Sequence, residues 1–163
     1  MDKMAPALDD VVADLCRHLQ MDRPAPGEDG SFALSAGTTQ VLLRNGPDSR
    51  LLEIEAEAGS LTRYTAQELS ELEGLLKANL AQCWLRDTLA CNETGEGADV
   101  SRVLVKGYHR YEENDISQLA DLISDVVSSA ETLGSMLHGS GRPSSHGHPG
   151  HIADDPGLLI FQP

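Results

Sequence analysis

Residues 31–58 read SFALSAGTTQVLLRNGPDSRLLEIEAEA, and their alternation decides the fold. Phe32 and Leu34 alternate with Ser31, Ala33 and Ser35, and Ala36-Gly37-Thr38 suits a tight turn. Thr39 to Arg44 supplies a second apolar and β-branched run, which stops at Asn45-Gly46-Pro47-Asp48, a strong turn signal. Leu52, Ile54 and Ala56 then alternate with Glu53, Glu55 and Glu57. A period of two places the aliphatic side chains on one face and the three carboxylates on the other. The stretch predicts an antiparallel meander of three strands, the last half-buried with its glutamates facing water. Paired glutamates are the raw material of acid-base chemistry, but so regular an alternation favours a solvated face.

Helical spacing flanks the meander. Leu8, Val11, Val12, Leu15 and Leu19 predict a helix over 5–21, which the prolines and glycines of 22–30 end. Thr65-Ala66-Gln67-Glu68 forms a capping box, and Leu69, Leu72, Leu75, Leu76, Asn79 and Leu80 continue a second helix. Its apolar arc is wide for a surface helix, as if two faces were covered. Residues 83–90 and 100–107 read as two strands around a loop at Asn92–Gly97, with Val103 and Val105 in one row and Leu104 opposite. A last helix, capped by Asn114, carries Ile116, Leu119, Leu122, Ile123, Val126, Val127, Ala130 and Leu133 as an apolar stripe. The expectation is a single α+β domain over 1–137: helix, three-strand antiparallel meander, helix, two strands, helix. A disordered Gly/Pro/His-rich tail over 138–163 follows.

Composition narrows the function. Of the 163 residues 40% are apolar but only 4% aromatic, so the core rests on Leu, Val, Ile and Ala and is thin enough for a subunit interface to help complete it. The chain carries 26 acidic against 12 basic side chains, a net charge of -14, which repels phosphate backbones and anionic lipid. Nucleic acid and membrane surfaces are therefore not the expected partners, and solubility is the plainest reason for the charge. Cys16, Cys83 and Cys91 form no CxxC pair and fall in apolar stretches, as reduced buried thiols do. Met1-Asp2-Lys3-Met4 does not open a signal peptide, and no run approaches the roughly 20 apolar residues of a membrane span. A cytoplasmic location follows as the expectation.

No reaction centre stands out. Ser135 lies in Leu133-Gly134-Ser135-Met136 within a predicted helix, not in a G-x-S-x-G elbow, and the loop Gly95-Glu96-Gly97 is acidic and unsuited to phosphate. His18 and His109 are isolated, which suits polar or capping roles. His138, His146, His148 and His151 resemble a metal-collecting tract, but without cysteine or a rigid scaffold they suit only weak, adventitious binding. No catalytic residue, metal or cofactor is assigned. Leu158-Leu159-Ile160-Phe161 is an apolar patch in a polar tail, either inert or able to dock on the protein's own groove or a sheet edge. Trp84 serves equally well as core or as a subunit contact.

The order of elements over about 5–137 resembles the Tir-chaperone (CesT-like) family, the class I chaperones of type III secretion. The likeness rests on Ser31-Phe32-Ala33-Leu34, on Leu75-Leu76-Lys77-Ala78-Asn79-Leu80, and on Asn92-Glu93-Thr94-Gly95 leading to Arg102-Val103-Leu104-Val105. The tail departs from the compact family form and suits a broad-range member of the HpaB type. The resemblance implies a bacterial cytoplasmic homodimer that binds N-terminal segments of secreted effectors, keeps them extended and hands them to the export ATPase. It points to Leu72, Leu76, Leu80 and Trp84 as the dimer contact, and to Leu15, Leu19, Phe32, Leu34, Val41 and Leu43 as the client surface. A regulatory module that sequesters a transcription factor or another chaperone would use the same surfaces. A metal-handling protein centred on the His tail is a third reading, separable by deleting 139–163.

Overall fold

A computed structural model describes residues 8–48, 50–62, 65–82, 88–94, 100–113 and 115–139. In chain order these form α1 (Leu8–His18), β1 (Phe32–Ala36), β2 (Thr39–Asn45), β3 (Leu51–Thr62), α2 (Ala66–Gln82), β4 (Thr88–Thr94), β5 (Val100–Arg110), a 3₁₀ turn at Tyr111–Glu113 and α3 (Ile116–Gly139). The strands make one antiparallel sheet in the order β1-β2-β3-β5-β4, so β5 lies between β3 and β4. The expected α+β architecture is present.

Local chemistry explains each boundary. Asp9 and Asp10 in the first turn of α1, and Arg17 and His18 in its last, complement the helix dipole. The helix stops earlier than its spacing suggests because Gln20 turns left-handed at φ 54°. The Met21 N–H then donates to the Cys16 carbonyl at 3.0 Å and the Gln20 N–H to that of Arg17 at 3.4 Å, the pattern of a Schellman cap. Ala36 pairs with Thr39 around Gly37, whose φ of +61° a residue with a Cβ rarely adopts. The Thr65 hydroxyl caps α2 by accepting the Glu68 N–H at 3.1 Å. At the last helix the cap is Asp115 rather than Asn114, which lies outside the described residues. The Asp115 carboxylate accepts the N–H groups of Ser117 at 3.0 Å and Gln118 at 3.2 Å.

The predicted second hairpin shifts along the chain. Asn92, expected in a loop, lies in β4 and pairs with Val103 of β5, which runs on to Arg110. Residues 83–87, expected to begin β4, lie outside the described residues, and α3 continues through His138 and Gly139.

The core occupies one face of the sheet. Leu52, Ile54 and Ala56 of β3, Val103 and Val105 of β5, Phe32 and Leu34 of β1, and Val41 and Leu43 of β2 join buried residues of all three helices in one cluster. The α3 stripe is buried at Leu119, Ile123, Val126, Ala130 and Leu133. Gly134 lets α3 approach β3 closely, because a Cβ there would lie 2.7 Å from the Ala58 carbonyl oxygen.

Candidate binding surfaces

The opposite face of the sheet corrects one expectation. Glu53, Glu55 and Glu57 point away from the core as predicted, yet Glu53 and Glu55 do not face water, being only 4% and 6% exposed. Register is the cause: Arg44 pairs with Glu53 across β2 and β3, and Lys106 with Glu55 across β3 and β5. Arg44 Nη2 donates to Glu53 at 2.7 Å and to Glu55 at 2.8 Å, while Lys106 Nζ lies 2.9 and 3.1 Å from the same two carboxylates. Burial alone would raise the Glu53 pKa, but its hydrogen bonds to Arg44 and Lys106 and their charges outweigh this and hold it below the ordinary carboxylate value. Burial likewise opposes the Lys106 charge, and the two glutamates more than compensate, raising its pKa. Arg102 pairs with Glu57 at 2.8 Å on the more exposed flank. Leu104 is fully buried on this side, and Cys91, expected to be buried, is partly exposed here. Cys16 is buried as expected; Cys83 lies outside the described residues.

The residues proposed from the sequence for client contact form one group. Phe32 pairs with Leu43 and Leu34 with Val41 across β1 and β2, and Leu15 of α1 belongs to the same cluster. All five are buried by the chain's own core, and only Leu19, 44% exposed just beyond α1, reaches the surface. The segment after α1 is strapped over this corner. Arg23 pairs with Asp9 and lies 5.7 Å from the Phe32 ring centroid, while Pro26 bridges Phe32 at the free edge of β1.

The α2 residues behave differently. Leu72 is half-buried against the core, whereas Leu76 and Leu80 are 68% and 73% exposed. Leu69, not singled out from the sequence as a contact, is 75% exposed and extends the same row by two turns, which its spacing of seven from Leu76 signals. Trp84 lies outside the described residues. The helix is held to the sheet by Asn79, whose amide nitrogen donates to the Ala90 carbonyl and whose amide oxygen accepts the Ala90 N–H, both at 2.7 Å. Asn79 thereby pairs the outer edge of β4 as a neighbouring strand would. Its place within a leucine-rich helix gave no sign of this.

His109 is buried beneath the start of α3, with Nδ1 3.9 Å from Glu113. Ser135 donates to the Glu131 carbonyl at 3.0 Å, as a helical serine does. Among the described residues, no group of three or more His, Cys, Asp or Glu side chains is placed to hold a metal ion, and no helix is long and apolar enough to cross a membrane. The histidines at 146, 148 and 151 lie outside the described residues.

No protein-family model matches the sequence, and no curated protein does. Solved structures do match. SycH of Yersinia pestis, a type III secretion chaperone solved with a stable fragment of YscM2, superposes with a TM-score of 0.58 at 19% identity, covering 78% of this chain and 99% of that one. ExsC in its complex with ExsE gives 0.62 at 14% identity over 90% and 100%. SchA, the chaperone of a chaperone–effector complex with HopA1, gives 0.60 at 11% over 78% and 92%. The fold is that of the type III secretion chaperones. It is not confined to them, because YbjN, a putative transcription regulator from E. coli, superposes at 0.58 with 10% identity over 83% and 96%.

Proposed function

We propose that this chain is a chaperone-type binding protein of type III secretion. In this reading it is a homodimer in the bacterial cytoplasm that holds the N-terminal segment of secreted effectors extended and delivers it to the export ATPase, without chemistry of its own. The observation that carries the reading is a fold shared along most of the chain with three proteins solved in complex with polypeptide partners.

The surfaces suit it. Leu72, Leu76 and Leu80, extended by Leu69, supply an apolar row for a second copy, and Trp84 is assigned to the same contact from the family resemblance alone. Each leucine covered contributes about 1.5–3 kcal/mol. For the client, Leu19 is the exposed contact at the corner whose core is Leu15, Phe32, Leu34, Val41 and Leu43, beside the edge of β1 at which an extended segment gains backbone pairing. Such anchoring is offset by several kcal/mol for ordering the segment, which keeps release possible. The regulatory reading draws on the likeness to YbjN and uses the same surfaces.

Purification from the native organism, followed by mass spectrometry of what co-purifies, tests the proposal. Secreted proteins whose binding maps to their N-terminal segments are expected. A single transcription factor, bound through a folded domain, would instead establish the regulatory reading.

A further inference from the structure

A second apolar feature lies on the side of α2 away from the leucine row. Ser70, Glu71, Gly74 and Leu75 of α2 and Leu133, Met136 and Leu137 of α3 line a slot of roughly 80 Å³ between the two helices. Leu75 and Leu133 form a buried wall, and Met136 stands 49% exposed at the mouth. Gly74 leaves the α2 wall open, because a Cβ added there would meet nothing within 4 Å. The slot is therefore a preformed, mainly apolar recess, floored by core residues, with Ser70 and Glu71 as its polar lining, and large enough to take an aliphatic side chain.

The sequence supplies an occupant within reach. The slot's mouth is one turn from the end of α3 at Gly139, the point to which the rest of the chain is tethered. Residues 140–157 are dominated by Gly, Ser, Pro and His, and Leu158-Leu159-Ile160-Phe161 follows as an uncharged apolar run. A Gly- and Ser-rich linker of that length has a root-mean-square span of about 20–25 Å. Tethering at such a span gives an effective concentration on the order of millimolar. Weak contact by a few apolar side chains then suffices for substantial occupancy. An outside segment lacks that advantage, and one carrying acidic residues must also approach a chain of net charge -14.

We propose that the slot between α2 and the last turns of α3 is a docking site for an apolar segment, and that its occupant is Leu158-Leu159-Ile160-Phe161 of the same chain. Docking there pins the first half of α2, whereas the hydrogen bonds of Asn79 to the sheet hold its second half. The inference does not depend on what the protein binds.

Amide hydrogen exchange tests it in the full-length chain, comparing native protein with Leu159→Asp/Phe161→Asp at two protein concentrations tenfold apart. The expected result is about tenfold faster exchange over residues 70–75 and 133–137 in the variant. The native protection should be the same at both concentrations, and the amides of β3 and β5 should not change. Met136→Asp, at an exposed position, should reproduce the loss from the other side of the contact. Equal exchange in native and variant chains would overturn the proposal. Protection that grows with concentration would assign the occupant to a second copy and overturn the intramolecular form. Faster exchange throughout the sheet would show an effect on the whole domain and remove the slot assignment.

Discussion

Helices α2 and α3 carry the same kind of leucine-rich periodicity and come to different ends. In α3 the stripe Leu119, Ile123, Val126, Ala130 and Leu133 is buried against the sheet. Among the described α2 side chains only Leu75 is fully buried and Leu72 half-buried, while Leu69, Leu76 and Leu80 remain exposed. Position in the sheet explains the difference. The α3 helix packs on β3 and β5, which have strands on both sides, whereas α2 sits at the β4 edge, where the layer ends. Periodicity therefore states which side chains avoid water but not whether the same chain can cover them. A helix at a sheet edge with two apolar faces has one face left for another surface.

The largest test of this contrast replaces one leucine on each helix. Leu119→Ala, at a site with no exposure, is expected to cost about 2–5 kcal/mol through lost burial and the cavity left behind. Leu76→Asp should change the stability of the isolated subunit by no more than about 0.5 kcal/mol, as exposed substitutions usually do. It should instead move the mass seen by light scattering towards monomer. Urea midpoints and scattering on both variants separate the cases. A Leu76→Asp protein that loses stability as Leu119→Ala does, with no change in mass, would place that row inside the subunit.

The same contrast marks how far the sequence could be read. Alternation in β3 and the α3 stripe were legible because each pattern is completed by its own sheet, as the burial of Leu52, Ile54 and Leu133 records. The capping role of Thr65 was legible because it is local. What escaped depends on residues distant in sequence. Glu53 and Glu55 look solvated until strand register brings Lys106 over them from more than fifty residues away. The six client residues came from the family resemblance, and five of them are buried in the chain's own core. Asn79 read only as a continuation of the second helix, and its role depends on β4 placing the Ala90 backbone against it.

That last contact offers a sharper test of what keeps α2 in place. Asn79→Ala removes both hydrogen bonds and leaves the Ala90 N–H and carbonyl without this partner, at an expected cost of about 1–3 kcal/mol. Asn79→Asp retains an acceptor for the Ala90 N–H but loses the donor, so its loss should be smaller. Faster amide exchange should appear at Ala90 and along α2 while the α3 amides hold. An Asn79→Ala chain in which α3 opens together with α2 would show one cooperative unit, and the division between the two helices would fail.

The smallest expected effect is a pH dependence lodged on the α3 side. Burial lowers the His109 pKa, against the opposing charges of Glu113 and Asp115, so the folded chain takes up this proton less readily than the unfolded chain does near 6.5. Asp121 and Asp125 of α3 line the same recess, and across β3 the ring's neighbour is the apolar Leu52. Above about 6.5 both states hold a neutral ring and nothing is lost. As pH falls below that value the unfolded chain binds the proton first and stability declines. Glu53 acts in the same direction in a lower window: its depressed pKa contributes stability above 4.5 that is lost as pH falls through the folded value. Urea midpoints should therefore fall in two steps, one between pH 7 and 5 and one below 4.5, and His109→Gln should flatten only the first. Exchange in the first step should quicken at the start of α3 and leave α2 unchanged, because the residues that line this recess come from β5, the 3₁₀ turn and α3. An undiminished first step in His109→Gln would move the titrating group elsewhere and leave α3 without a pH-sensitive anchor.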